Sequence, residues 1–378
     1  MTSQEIKENA EATESVSGKM LTVLCHNGVL SYRGLDVFEG SPNYHRKKLT
    51  QLRQRGWINT KDAELIKLKI PNKRYEKWSH YVDEGSIEKM MERTATRPSG
   101  KKKHVYRQGK QSEVMAMVLE IGGTFHTKEI KEINKSNFSY VVAEQIKNDE
   151  SLGLEKQMAA QSSRAMGTLF TPEQTYTFYS IGDSAATSYV EGEKAYRNRV
   201  MQIEKELGIE NNGESRCVIV SEGLLNLESY FFKKELIRDK KETYKKIPLC
   251  TNGTYDAMYL IPCSNEGSNI LLMVTTENYK DIVDNYYLGD TLITKEIDCD
   301  GVEMRGDEVR EYYLNFLVPD MTRLDHFYHS AITDDRNKYT IHCFDMYERG
   351  LKELCGDRIQ IIPHKVEPVM NVWMFGAE

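Results

Sequence analysis

The sequence predicts a multidomain protein of mixed α+β and α/β class, and three observations carry that prediction. The chain has 378 residues, well beyond the ~250 at which a single hydrophobic core stops growing, so two or three domains are expected. Three short helical segments punctuated by glycine turns open its N-terminal part. Beyond residue 186, strand-like apolar runs intermix with helical segments, the pattern of an α/β domain.

Composition narrows the class. With 39% hydrophobic and 29% charged residues, the chain has the balance of a folded, non-membrane protein. Its longest apolar runs, such as Asn269–Thr275, are far short of the ~20 residues a membrane span needs. Seven cysteines, widely spaced and without a C-x-x-C pair, fit neither a disulfide framework nor a zinc module. They read as buried thiols of a cytoplasmic, nucleoid-associated protein. Residues 1–17 hold no apolar run and are expected to be a solvated, disordered acidic tail rather than a secretory signal.

Charge is distributed unevenly. The net charge is −6, yet residues 41–110 hold 19 Lys and Arg against 7 Asp and Glu. A locally positive region joined to an acidic partner is what phosphate binding requires, because attraction depends on the near surface and not on the sum.

The first patterned segment, Gly18–Ile58, divides into three helices. Met20, Leu21, Val23 and Leu24 give one apolar face closed by Asn27-Gly28. Ser31 can cap a second helix through Phe38, and Glu39-Gly40 makes a turn. Ser41-Pro42 then opens a third helix, with serine as cap and proline at the first helical position. This is helix-turn-helix grammar. In the third helix Leu49 and Leu52 face inward, while Tyr44, His45, Arg46, Lys47, Lys48, Arg53 and Arg55 take the rest of the surface. No acid lies between Ser41 and Gly56, whereas ordinary surface helices mix signs to gain i,i+4 pairs. The helix stops at Gly56, and Trp57-Ile58 enters a strand. Asn43, Tyr44, His45, Arg46 and Lys47, with Arg53 further along, are the side chains a major groove would receive; a solvated basic face is the alternative.

Residues 61–96 contain a strand-like LIKLKI and a helical stretch from Ser86. Arg97–Arg107, with Lys101, Lys102 and Lys103, reads as the basic tip of a wing leading into a strand; a basic linker is the alternative. Residues 18–110 are thus expected to form a winged helix-turn-helix. A second copy is expected over 111–185: helices at Gln111–Ile121, His126–Ile133 and Phe138–Ile146, then a β-hairpin turning at Thr171-Pro172-Glu173. Its third helix is nearly neutral, which favours a dimerisation or packing module.

From Tyr189 a helix runs to about Leu207. The α/β domain at 186–378 then reads as strand Arg216–Ser221, helix Leu224–Leu236, a strand pair Ala257–Pro262 and Asn269–Thr275, helix Tyr279–Tyr287, strand Lys338–Phe344, helix Tyr347–Cys355 and strand Ile359–Pro363. A helix, a hairpin of strands, a helix and a strand is the minimal core of restriction-endonuclease-like nucleases. Such a site needs an acid at the start of one strand and an acid with a lysine on the next, holding Mg²⁺ and orienting water. Asp256 stands where the first acid belongs, but Glu277 and Lys280 fall at a strand end with spacing too long to share one face. The domain is therefore expected to be an inactive scaffold, with Asp256, Glu277 and Lys280 as the nuclease alternative and Mg²⁺ as its only cofactor. Asp325, His326 and His329 have i,i+3 and i,i+4 spacing without a second ligand cluster, and Asp298, Asp300 and Glu303 are a fragment of a calcium loop. Phosphate-loop, dinucleotide and serine-hydrolase motifs are missing.

Together, LCHNGVLSYRGL with NYHRKKLTQLRQRGWI, SSRAMGTLFTP with YTFYSIG, and YDAMYLIP with ILLMVTTEN resemble the replication-relaxation family of plasmids and conjugative elements. The resemblance covers most of residues 18–362 and rests on hydrophobic-and-glycine patterns. It implies winged-helix DNA binding joined to a restriction-like domain, in an accessory role in plasmid replication or transfer. Thr275-Thr276 stand where that pattern would put a second acid. The expected partner is double-stranded DNA, with a replication or transfer protein as a second partner, a homodimer left open, and transcriptional repression as the competing role.

Overall fold

The computed structural model describes residues 14–60, 64–68, 81–95, 102–126, 130–133, 137–148, 159–181, 187–209, 214–224, 227, 246–248, 253–289, 291–292, 297–305 and 309–375. The chain divides into two compact units, Met1–Glu129 with Cys263–Ser268, and Ile130–Pro262 with Asn269–Glu378. Sequence patterning drew its boundaries at residues 110 and 185 instead. Both units mix helices and strands. No helix among the described residues is long and apolar enough to cross a membrane.

In the first unit, helix α1 (Val16–Asn27) starts under the Ser15 side chain and stops at Gly28, whose φ of 79° is the left-handed geometry that ends a helix. Ser17 is thus already helical, so the tail expected over residues 1–17 does not reach it; residues 1–13 lie outside the described residues. Strand β1 (Val29–Ser31) follows. Ser31 does not cap a helix: its Oγ accepts from Gly34 N at 2.9 Å and donates to Glu113, and its own N–H donates to Ser112 Oγ at 3.0 Å. With those groups satisfied in an extended conformation, only a 3₁₀ turn, Arg33–Leu35, forms before Phe38.

Helix α2 (Pro42–Gln54) has the predicted bounds, with Ser41 as cap and proline in the first turn. Gly56, at φ 76°, turns the chain into β2 (Ile58–Asn59), and Trp57 and Ile58 are buried. Strand β3 (Leu65–Leu68) pairs antiparallel with both β1 and β2, giving the order β1-β3-β2. Helix α3 (Glu84–Ala95) and the long helix α4 (Lys102–Glu120) pack on α1, and α4 also covers β1. A buried pair, Lys110 with Glu113 at 3.2 Å, and the Lys19–Glu120 bridge at 2.9 Å fix α4. Lys102–Arg107 therefore belong to a helix and not to a wing strand. The apolar period of Val114, Met115 and Val118 extends backward through Lys, Arg and Gln, all good helix formers. Gly122, at φ 79°, stops α4, and the two-residue β4 (Thr124–Phe125) follows.

The expected second helical triplet does not form. Of His126–Ile133 the described part holds a 3₁₀ turn, Ile130–Glu132, and Phe138–Ile146 splits into strand β5 (Ser139–Val142) and short helix α5 (Ala143–Lys147). Tyr140, Val141 and Val142 are aromatic and β-branched, residues that suit a pleated, buried surface better than a helix. Strands β6 (Gly167–Phe170) and β7 (Thr175–Ile181) make the predicted hairpin around Thr171–Gln174.

Among the described residues the second unit holds strands of three sheets. After β8 (Thr187–Tyr189), helix α6 (Val190–Leu207) buries Tyr196, Val200, Ile203 and Leu207 and leads to β9 (Arg216–Ser221). Strand β10 (Lys246–Pro248) pairs with β8. Strand β11 (Ala257–Pro262) is parallel to β9, and β9 is parallel to β7. Within this unit the strands run β11-β9-β7-β6-β5, with β6 antiparallel to β5 and β7. The β7-to-β9 step is a crossover carried by α6, as parallel neighbours require.

Asn269–Thr275 is not the partner strand of β11. Its residues 269–274 lie in helix α7 (Asn265–Val274), led in by Ser264, whose Oγ accepts from Gly267 N at 3.0 Å. A short continuous apolar run fits a buried helix as well as a strand, and the serine ahead of it is the signal that separates the two. Helix α8 (Tyr279–Leu288) follows. Strands β12 (Gly301–Arg305) and β13 (Val309–Phe316) pair antiparallel. Helix α9 (Met321–Thr333) crosses to β14 (Lys338–Phe344), and α10 (Asp345–Cys355) crosses to β15 (Gln360–His364), both in parallel register. Helix α11 (Val366–Phe375) completes the described chain. Most of the expected helix Leu224–Leu236 lies outside the described residues. Six cysteines are free and buried; Cys250 lies outside the described residues.

Candidate nucleic-acid interface

Helix α2 carries the side chains that sequence patterning selected. Its anchors are Leu49, 8% exposed, Leu52, 1% exposed, and His45, 3% exposed. His45 therefore leaves the expected contact set. Its ring turns inward and Nε2 lies 3.1 Å from the Glu39 carbonyl, closing the turn before the helix. Gly40 makes that closure sterically feasible: its φ is 120°, and a Cβ there would meet the Tyr44 ring at 2.7 Å.

The other predicted residues stand outward. Asn43, Tyr44, Arg46, Lys47 and Arg53 are exposed, and Lys48 is half-exposed. Lys48 Nζ sits 5.0 Å from the centroid of the Tyr44 ring. None of Arg46, Lys47, Lys48, Arg53 and Arg55 is neutralised by a carboxylate among the described residues. Arg55 has other company: it lies over Trp57 and Tyr81, 5.1 and 5.2 Å from their centroids, and donates to Tyr81 Oη at 2.8 Å. That stacking pins the helix end. The predicted wing lysines do not join α2 as a hairpin: Lys102 and Lys103 lie in the first turn of α4, and Lys101 lies outside the described residues. The hairpin that does follow α2 is β2–β3.

The nuclease candidates scatter over the second unit. Asp256 accepts from Ser215 N at 2.8 Å and Ser215 Oγ at 2.6 Å, with Arg197 at 3.7 Å. Partial burial works against its ionisation, but the Ser215 hydrogen bonds and the Arg197 charge outweigh it and lower the pKa. Glu277 stands against Glu173, whose pKa is raised by desolvation and then by Glu277 itself. Lys280 binds Asp284 and Asp300. The structure thus assigns Asp256, Glu277 and Lys280 to three different clusters.

The calcium-loop fragment is an ion-pair network. Asp300 is held by Lys280, by Arg323 Nη1 at 2.7 Å and by Asn315 N at 2.8 Å. Asp298 pairs with Arg323 at 3.1 Å and His326 at 3.2 Å, and His329 pairs with Asp325 at 3.4 Å. Glu303 accepts from Tyr313 Oη. Among the described residues no group of three His, Cys, Asp or Glu side chains is placed to hold a metal ion. Sequence reasoning missed the imidazole pair His342 and His364, stacked at 13° with Nδ1 to Nε2 at 3.0 Å; burial lowers both pKa values, that of His342 to about 4. Only strand register brings these two together, and they lie 22 positions apart in sequence.

No family model matches the sequence, and neither a curated protein nor a solved structure matches it.

Proposed function

We propose that this chain binds double-stranded DNA through α2, as an accessory or regulatory protein of plasmid or mobile-element replication or transfer. The observation that carries the reading is the row of cations on α2 that have no carboxylate partner among the described residues. A helical face rich in cations and free of acids in its own sequence suits a polyanion that releases counterions on binding. The element order supports a winged helix: α1, β1, a turn, α2, then the β2–β3 hairpin with β1 joining β3. We read the N-terminal turn of α2, with its serine cap, first-turn proline and outward Asn43, as the end that enters a groove. Replacing Arg46 and Lys47 together by Ala is expected to lower duplex affinity ten-fold or more; an unchanged gel shift refutes the assignment.

The second unit favours a nuclease-like scaffold, at a different place from the one the sequence suggested. Helix α5, hairpin β6–β7, helix α6 and strand β9 parallel to β7 follow the helix, hairpin, helix, strand order of a restriction-endonuclease-like core. Its two hairpin strands read GTLF and TYTFYSI, with neither the acid of the first strand nor the acid and lysine of the second. We read this core as a scaffold without metal-dependent hydrolysis. Supercoiled plasmid incubated with Mg²⁺ or Mn²⁺ is expected to stay intact, and nicking that Asp256→Ala abolishes would restore the enzyme reading.

A further inference from the structure

The geometry of α2 points to a division of labour on its exposed face: Asn43, Lys47, Thr50 and Gln54 read base edges in the major groove, while Arg46 and Arg53 on one flank and Lys48 with Tyr44 on the other hold the two phosphate strands. This rests on the duplex-binding reading and adds which chemistry is read by which residue.

An α-helix advances about 100° per residue. At that pitch Asn43, Lys47, Thr50 and Gln54 fall within about 60° of one another, opposite the buried trio His45, Leu49 and Leu52. All four are exposed. This ridge is the part of the helix deepest in any groove that admits it. Arg46 and Arg53 lie together on one side of it, and Tyr44 and Lys48 on the other, the lysine over the tyrosine ring at 5.0 Å.

The chemistry divides the same way. The ridge carries two amides, one ammonium and one threonine whose hydroxyl already donates to the Arg46 carbonyl at 2.9 Å, leaving its methyl group for contact. Asn and Gln pair with the N6 and N7 edge of adenine, Lys with O6 and N7 of guanine, and a threonine methyl packs on the thymine methyl. The flanks carry the charge-dense groups suited to phosphate oxygens. The ligand class is therefore a sequence-specific duplex with adenine and guanine presented in the major groove.

The test begins with selection of preferred duplexes from a random library by the full chain. Affinities for the selected duplex and a scrambled one are then measured across a salt range. Asn43→Ala with Gln54→Ala, which changes no charge, is expected to cut the preference for the selected duplex about ten-fold or more while leaving scrambled-duplex affinity and its salt slope intact. Arg46→Gln with Arg53→Gln is expected to weaken both duplexes alike and to make the slope shallower by about two, with the preference retained. Amide variants that keep the full preference, or that weaken both duplexes equally, overturn the division. So does duplex binding from which no preferred sequence emerges, which leaves the duplex-binding reading standing; a chain that binds no duplex at any salt removes that reading as well.

Discussion

Neighbours decide what each side chain of α2 is free to do. His45 and Arg55 look alike in sequence to their basic companions, yet one closes a turn on the Glu39 carbonyl and the other lies against the rings of Trp57 and Tyr81. Neither fate is written in a local pattern, because the partners are a carbonyl made available by Gly40 and a tyrosine 26 positions away. In the second unit Asp320 shows the same dependence. It caps α9, accepts from Met258 N at 3.1 Å and Thr322 N at 2.9 Å, and burial pushes its pKa to about 6 despite those hydrogen bonds. A carboxyl raised above its unfolded value favours the folded state when protonated. Its contribution is full below about pH 4 and is lost as pH rises through about 6. Thermal melts of Asp320→Asn and the natural chain from pH 4 to 8 should therefore diverge, with the variant gaining relative stability as pH rises. Parallel profiles would show that Asp320 is not protonated in the folded state near pH 5.

Elements whose signals are local were legible in the sequence. Strands Arg216–Ser221, Ala257–Pro262 and Lys338–Phe344 have the bounds read from their apolar runs. Helix α2 was legible because cap, proline and terminal glycine agree with its inward leucines. Elements decided by tertiary pairing were not. Ser139–Val142 becomes a strand because β6 lies beside it, and Asn269–Thr275 becomes helical under Ser264. The basic stretch around Lys102 was misplaced because Pro98 and Gly100 suggest a turn, whereas the helix simply begins two residues later. If Leu52 anchors α2 as its burial indicates, Leu52→Ala should cost about 2–4 kcal/mol, read from the denaturant midpoint. A loss below about 1 kcal/mol would mean that the helix is held elsewhere. Ser41→Ala should cost less, about 0.5–1 kcal/mol, since its bond to Tyr44 N is long, at 3.3 Å, and exposed.

Across the whole molecule, charge and fold divide the same chain. The excess of cations in residues 41–110 falls within the unit built on α1, α2 and α4. The second unit is the site of the networks around Asp300 and Asp256, in which Arg323 holds Asp300 and Ser215 holds Asp256. Under the proposed function the first unit grips DNA and the second meets a replication or transfer protein, and a pull-down using the full chain as bait tests the second half.

The most direct test of the central claim is the salt dependence of duplex affinity for the full chain between about 50 and 200 mM, the range over which phosphate contacts are strongly attenuated. If Arg46, Lys48 and Arg53 each displace counterions, the logarithmic slope should be about −3, and replacing all three by Ala should bring it close to zero. Affinity that ignores salt, or a triple variant that keeps the parental slope, would contradict the account.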